Sequence, residues 1–131
     1  MSLFAFLKGN NEDLSFRRNL RNVLGFRPGS VSLYRSALTH RSVRDTPDEN
    51  NERLEYLGDA VLSSIVADFL FKKYKDKPEG ELTAYRSALV NADTCADIAT
   101  KLSVNDYLLL SKGESKDTGR ARKYILANAL E

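Results

Sequence analysis

The sequence is short of cysteine, histidine, proline and glycine: its 131 residues hold one, one, three and seven of them. A lone cysteine, Cys95, excludes an internal disulfide and a cysteine zinc site, and it fits a reducing compartment rather than secretion. So few chain breakers disfavour an architecture of many short strands, and the class expected is all-α. Long hydrophobic runs are also missing. The longest near the N-terminus, Leu3 to Leu7, falls far below the roughly 20 residues of a membrane span and is shorter than a signal-peptide core. A soluble, cytoplasmic protein with no membrane partner is expected. Neither sign of charge dominates, with 20 Lys and Arg against 18 Asp and Glu, so the total points neither to a polyanion binder nor to an acidic tail. What is present, 42% hydrophobic and 29% charged residues, fits one compact domain over 1–131 and leaves no room for two.

Helical periodicity organises most of the chain. Asn11 or Asp13 can cap a helix carrying Leu14, Leu20, Val23 and Leu24, with Gly25 at its left-handed end. Pro28, Gly29 and Ser30 read as a turn, and a second helix runs through Leu33, Tyr34, Ala37 and Leu38 to about His40. Arg41 to Asn51 is polar and aperiodic, hence a loop. From Asn51 to about Tyr74, Leu54, Leu57, Val61, Leu62, Ile65 and Phe69 keep helical spacing and predict a long central helix. After a loop at Lys75 to Gly80, the apolar positions from Leu82 to Leu102 predict one helix or two joined ones. Ser111 to Arg122 reads as a basic, mobile surface loop. Ala121 to Glu131 restarts a helix that meets the end of the sequence with no stop signal, so the chain is expected to be cut within an element.

The near-neutral total hides two blocks. Lys8 to Arg44 carries eight Lys and Arg against Glu12 and Asp13, and Asp45 to Asp59 carries six acids against Arg53. A basic surface around an acidic centre suits a metal-dependent nuclease, since the cations neutralise phosphates while carboxylates hold the metal. The alternative is charge spread over solvated helix faces. At about 100° per residue, Glu52, Glu55 and Asp59 share one face within roughly 60°. Glu55 and Asp59 stand about 6 Å apart along the axis, a spacing suited to one hard cation or its waters. Three like charges so placed repel unless a cation compensates. A second helix bearing Asn128 and Glu131, three residues apart, could complete the set. Gly58 costs a helix interior roughly 1 kcal/mol relative to Ala, which signals close approach of another group. Tyr56 projects nearly opposite the apolar centre, as an ordinary surface residue or a knob for a partner subunit; taken with Gly58, it points to the partner.

The run Asn51-Glu52-Arg53-Leu54-Glu55-Tyr56-Leu57-Gly58-Asp59-Ala60-Val61-Leu62 resembles the signature helix of the ribonuclease III family. The resemblance extends to Ala37-Leu38-Thr39-His40-Arg41-Ser42, to Pro78-Glu79-Gly80-Glu81-Leu82, to Leu89-Val90-Asn91, and to Ile125-Leu126-Ala127-Asn128-Ala129-Leu130-Glu131. The bacterial form is the nearer match. It implies an endonuclease-domain-like helical bundle that works as a homodimer. Such a domain cleaves double-stranded RNA with magnesium, for which manganese can substitute, and leaves 5′-phosphate and 3′-hydroxyl ends during ribosomal and messenger RNA processing. By position in the motif, Glu55, Asp59 and Glu131 match the metal-binding acids, with Asp59 and Glu131 catalytic; Asn128 stands where the family normally has another acid. Glu52 and Glu79 match further acids near the cleavage groove, and Tyr56 matches the aromatic inserted into the partner, with Gly58 beside it at the dimer interface. By the resemblance the last helix would continue with an apolar segment and one more helix, followed by a C-terminal double-stranded-RNA-binding domain, so the sequence is expected to be a truncated piece or else a naturally minimal form. His40 is expected to be structural or capping, and Cys95 a small buried residue. Asn128 keeps open a second function, a catalytically inactive dimeric duplex-binding module; a hydrolase of small phosphate esters is disfavoured by the basic blocks.

Overall fold

The computed structural model describes residues 3–116 and 119–131, with side chains from residue 12 onward outside 117–118. The chain forms two compact units, Met1–Arg35 and Ser36–Glu131.

The first unit is built on α1 (Leu3–Leu24) and enters α2 (Val31–Ala37). Positions 11 and 13 lie inside α1, which begins at Leu3, rather than at its cap. Asp13 pairs instead with Arg35, whose guanidinium lies 4.4 Å from the centroid of the Phe16 ring. The other end follows the sequence pattern: Gly25 takes a φ of 75° and returns its N–H to the Arg21 carbonyl at 2.9 Å, a left-handed stop.

The second unit holds α3 (Glu52–Lys73), α4 (Glu79–Leu89), α5 (Ala92–Lys101) and α6 (Arg120–Leu130), with short 3-10 turns at Val104–Asp106 and Glu114–Lys116. Among the described residues there are no strands, only a parallel bridge between Thr39 and Leu109. Two helices, not one, occupy 79–101. The break comes at Asn91, whose side chain accepts from the Thr94 N–H at 2.9 Å and caps α5. Small residues on α5, Cys95, Ala96 and Ala99, are buried against Ile125, Leu126 and Ala127 of α6, so the two backbones can approach and form the densest part of the core. The 111–122 stretch is not wholly irregular, since it contains the Glu114–Lys116 turn and the start of α6.

The long central helix is present, but of its six predicted apolar positions only Leu54 and Leu62 are half-buried. Leu57, Val61, Ile65 and Phe69 stand exposed, and Leu70 alone of α3 is fully buried. The covered side is the neighbouring row Gly58, Leu62, Val66 and Leu70, spaced four apart. Periodicity marked a face without saying what lies over it.

Candidate metal centre and groove

The start of α3 carries Glu52 and Glu55 on its first turn, where the positive end of the helix dipole favours acids. A buried asparagine pair fixes that start. Asn50, 2% exposed, donates from Nδ2 to the Arg44 carbonyl at 2.9 Å and accepts the Glu52 N–H at 3.0 Å. Asn51 donates its N–H to the Thr39 carbonyl at 3.0 Å and accepts the Glu55 N–H at 2.8 Å. The capping side chain is thus Asn50, one residue before the expected boundary. Sequence reasoning passed over it, although asparagine ahead of an acidic first turn is a cap signal.

Gly58 sets the meeting of α3 with the end of α6. A Cβ at this position would lie 3.3 Å from the Glu131 Cα and would overlap the Glu131 carbonyl. The close approach inferred from this glycine is made here by the chain's own Glu131. Tyr56, by contrast, is 84% exposed.

This meeting groups Glu55 and Asp59 of α3 with Asn128 of α6 and Glu131 at its C-cap. Burial, then the neighbouring Glu52, push the Glu55 carboxyl above the ordinary carboxylate value; a hydrogen bond with the Asn128 side chain pulls partly back, and Asp59 pushes up again. Burial, then Asp59 and Glu55, raise Glu131 in the same way. No salt bridge among the described residues reaches Glu55, Asp59 or Glu131, so their mutual repulsion is uncompensated. Beneath them lies Cys95, whose thiol is pushed up by burial, then by Glu131; it is a buried, neutral thiol, inert as a nucleophile.

The donor set, carboxylates and an amide carbonyl, is all oxygen and suits a hard divalent cation. Among the described residues, no group of three or more His, Cys, Asp or Glu is drawn tightly enough to encircle an ion.

Glu52 stands at the edge of the group and accepts from Arg41 Nη1 at 3.2 Å. A polar cleft of about 550 Å³ opens there, lined by His40, Arg41, Glu52, Glu55, Tyr124 and Asn128 among others. His40 and Arg41 were not expected on its wall; they arrive through the Thr39–Leu109 bridge, which the short apolar patch around Leu109 did not disclose. Glu79 does not join the group. As the first residue of α4 it accepts from Thr83 Oγ1 at 2.9 Å and lines another cleft, of about 450 Å³, with Asp68, Phe71 and Arg86. Asp68 is 13 residues along α3 from Glu55, roughly 20 Å of helix.

The ribonuclease-III-like family model matches residues 30–131. A ribonuclease 3 of Nitrosococcus oceani is 45% identical over 108 residues, 82% of this chain and 45% of that protein. One of Oleidesulfovibrio alaskensis is 45% identical over 115 residues, 86% of this chain and 50% of that protein. The chain thus spans about half the length of the curated relatives it matches. A solved nuclease domain of ribonuclease III from Campylobacter jejuni, described for structural flexibility in a region involved in dimer formation, superposes with a TM-score of 0.78 at 40% identity, covering 86% of this chain and 77% of that one.

Proposed function

The chain belongs to the ribonuclease-III-like family, and from that premise we propose that it is a magnesium-dependent endoribonuclease that cuts double-stranded RNA to 5′-phosphate and 3′-hydroxyl ends. The observation that carries this reading is the uncompensated acidic group Glu55, Asp59 and Glu131, with Asn128 beside it, at the contact of α3 with α6. These four would hold magnesium, or manganese in its place, with Asp59 and Glu131 as the catalytic acids. Bound there, the cation supplies a more acidic water and charge neutralisation at the scissile phosphate. Asn128 steadies the Glu55 carboxylate through their hydrogen bond, and Arg41, beside Glu52, offers the groove a cationic fork suited to phosphate. A duplex lies along such a groove by shape and backbone contacts rather than by base sequence.

The working form is proposed to be a homodimer. Exposed Tyr56 and the bare stripe Leu57, Val61, Ile65 and Phe69 are apolar surface of the kind a second copy covers. Glu79, remote from the acids of its own chain, would then serve the groove only from another part of the assembly. Structured ribosomal and messenger RNA precursors in the cytoplasm are the proposed substrates.

One observation favours a second reading, a duplex-binding module without catalysis: Asn128 brings an amide where the family has an acid, and so one charge fewer to the metal. Incubation of a labelled RNA duplex and the matching single strand, with and without magnesium, separates the two. Cutting of the duplex alone, with magnesium alone, is expected; retained duplex binding with no cutting would replace the first reading by the second.

A further inference from the structure

Building on the proposed RNA groove, we infer that His40 contacts substrate, presenting its Nε2–H to an RNA phosphate oxygen as an uncharged donor rather than acting as a general base. His40 lines the same cleft as Glu52, Glu55 and Asn128, a wall rich in acceptors that a phosphate can approach only if donors stand among them. Its Nδ1 lies 3.2 Å from the Ser42 backbone N and 2.9 Å from Ser42 Oγ. A backbone N–H can only donate, so Nδ1 accepts, and the ring proton sits on Nε2.

The serine is itself fixed. Ser42 Oγ accepts the Ser111 N–H at 3.1 Å, and its own hydrogen can at most share the one Nδ1 lone pair with the Ser42 N–H. The His40 N–H goes to the Leu109 carbonyl at 3.0 Å. The Nδ1 edge of the imidazole is therefore tied to Ser42, which in turn holds Ser111, and Nε2 has no partner among the described residues. A side chain needed only to latch the loops would require nothing beyond the Nδ1 acceptor. The ring adds to it a rigid second nitrogen whose protonation the latch dictates.

Two substitutions divide the ring between its nitrogens. His40→Asn keeps an acceptor where Nδ1 stands and removes the Nε2 donor; His40→Gln keeps a donor near Nε2 and gives up the Ser42 contact. Binding of the full chain to a labelled RNA duplex is measured across a salt series with calcium replacing magnesium, the duplex being checked for intactness. H40N is expected to bind roughly tenfold or more weakly, the scale of a hydrogen bond to a charged acceptor, and H40Q within about threefold of the unsubstituted chain. The dependence of log K on log salt should be the same for H40N and the unsubstituted chain, because a neutral donor displaces no counterion. Loss in H40Q equal to or greater than that in H40N would make His40 a loop latch and overturn the inference, as would unchanged binding in both. A salt slope smaller by about 1 in H40N would make the contact cationic and overturn it too. Failure of the unsubstituted chain to bind duplex would instead overturn the groove reading, and this inference with it.

Discussion

Glu55 and Glu131 hold their protons above the ordinary carboxylate value of 4.5 because both are partly buried and face other acids without a cation between them. The folded state therefore binds those protons more tightly than the unfolded chain does. Stability falls as pH rises from about 4.5 through the raised folded values; the penalty is absent below that window and complete above it. Glu131→Gln should thus melt higher than the unsubstituted chain at pH 7 and match it near pH 4, while losing magnesium-dependent cutting. Solvent screening limits the gain to about 0.5 kcal/mol. A lower melting temperature at pH 7 would refute the repulsion. Gly58→Ala is expected to act oppositely. The helix gains up to about 1 kcal/mol of propensity, but the new Cβ meets Glu131 backbone, and overpacking against backbone costs typically 1–3 kcal/mol. Urea unfolding should show net destabilisation, and unchanged stability would mean that the end of α6 yields freely.

At the scale of elements, the first turn of α3 depends on a residue outside the helix. Asn50→Ala removes the side-chain acceptor for the Glu52 N–H and leaves the Arg44 carbonyl without its buried donor. A loss of about 1–3 kcal/mol in chemical denaturation is expected, with magnesium binding weakened as Glu52 and Glu55 lose their fixed start; a variant as stable as the parent would show that Asn51 alone holds the turn. These elements also mark how far sequence could be read. The limits of α3 and the start of α6 follow from apolar spacing, and the sharing of a face by Glu55 and Asp59 follows from helix geometry alone. The crossing partner of Gly58 does not follow, because a glycine announces close approach without naming what approaches. Likewise the stripe of Leu57, Val61, Ile65 and Phe69 has the same period whether core or solvent lies over it. His40 and Arg41 reach the cleft through pairing between residues about 70 apart, which no local pattern encodes.

For the whole molecule, the second unit, Ser36–Glu131, contains every residue of the candidate centre, yet it leaves the apolar stripe of α3 uncovered. If a second copy covers it, Ile65→Asp should leave the helical circular-dichroism spectrum intact and shift sedimentation from dimer to monomer. A variant still dimeric at micromolar concentration would move the interface elsewhere. The same unit is closed by its most distant contacts: Thr39 pairs with Leu109, Ser42 with Ser111 across 69 residues, and Gly58 with Glu131. Contacts of such long range bear the greatest loop-closure entropy and form late, after the α3–α4 and α5–α6 neighbours have found each other. If the acids meet only after the rate-limiting step of folding, their repulsion should speed unfolding while leaving the forward rate almost untouched, which chevron kinetics of Glu131→Gln would show as a change in the unfolding arm alone. A cation bound between α3 and α6 would accordingly lengthen the lifetime of the native state without hastening its formation.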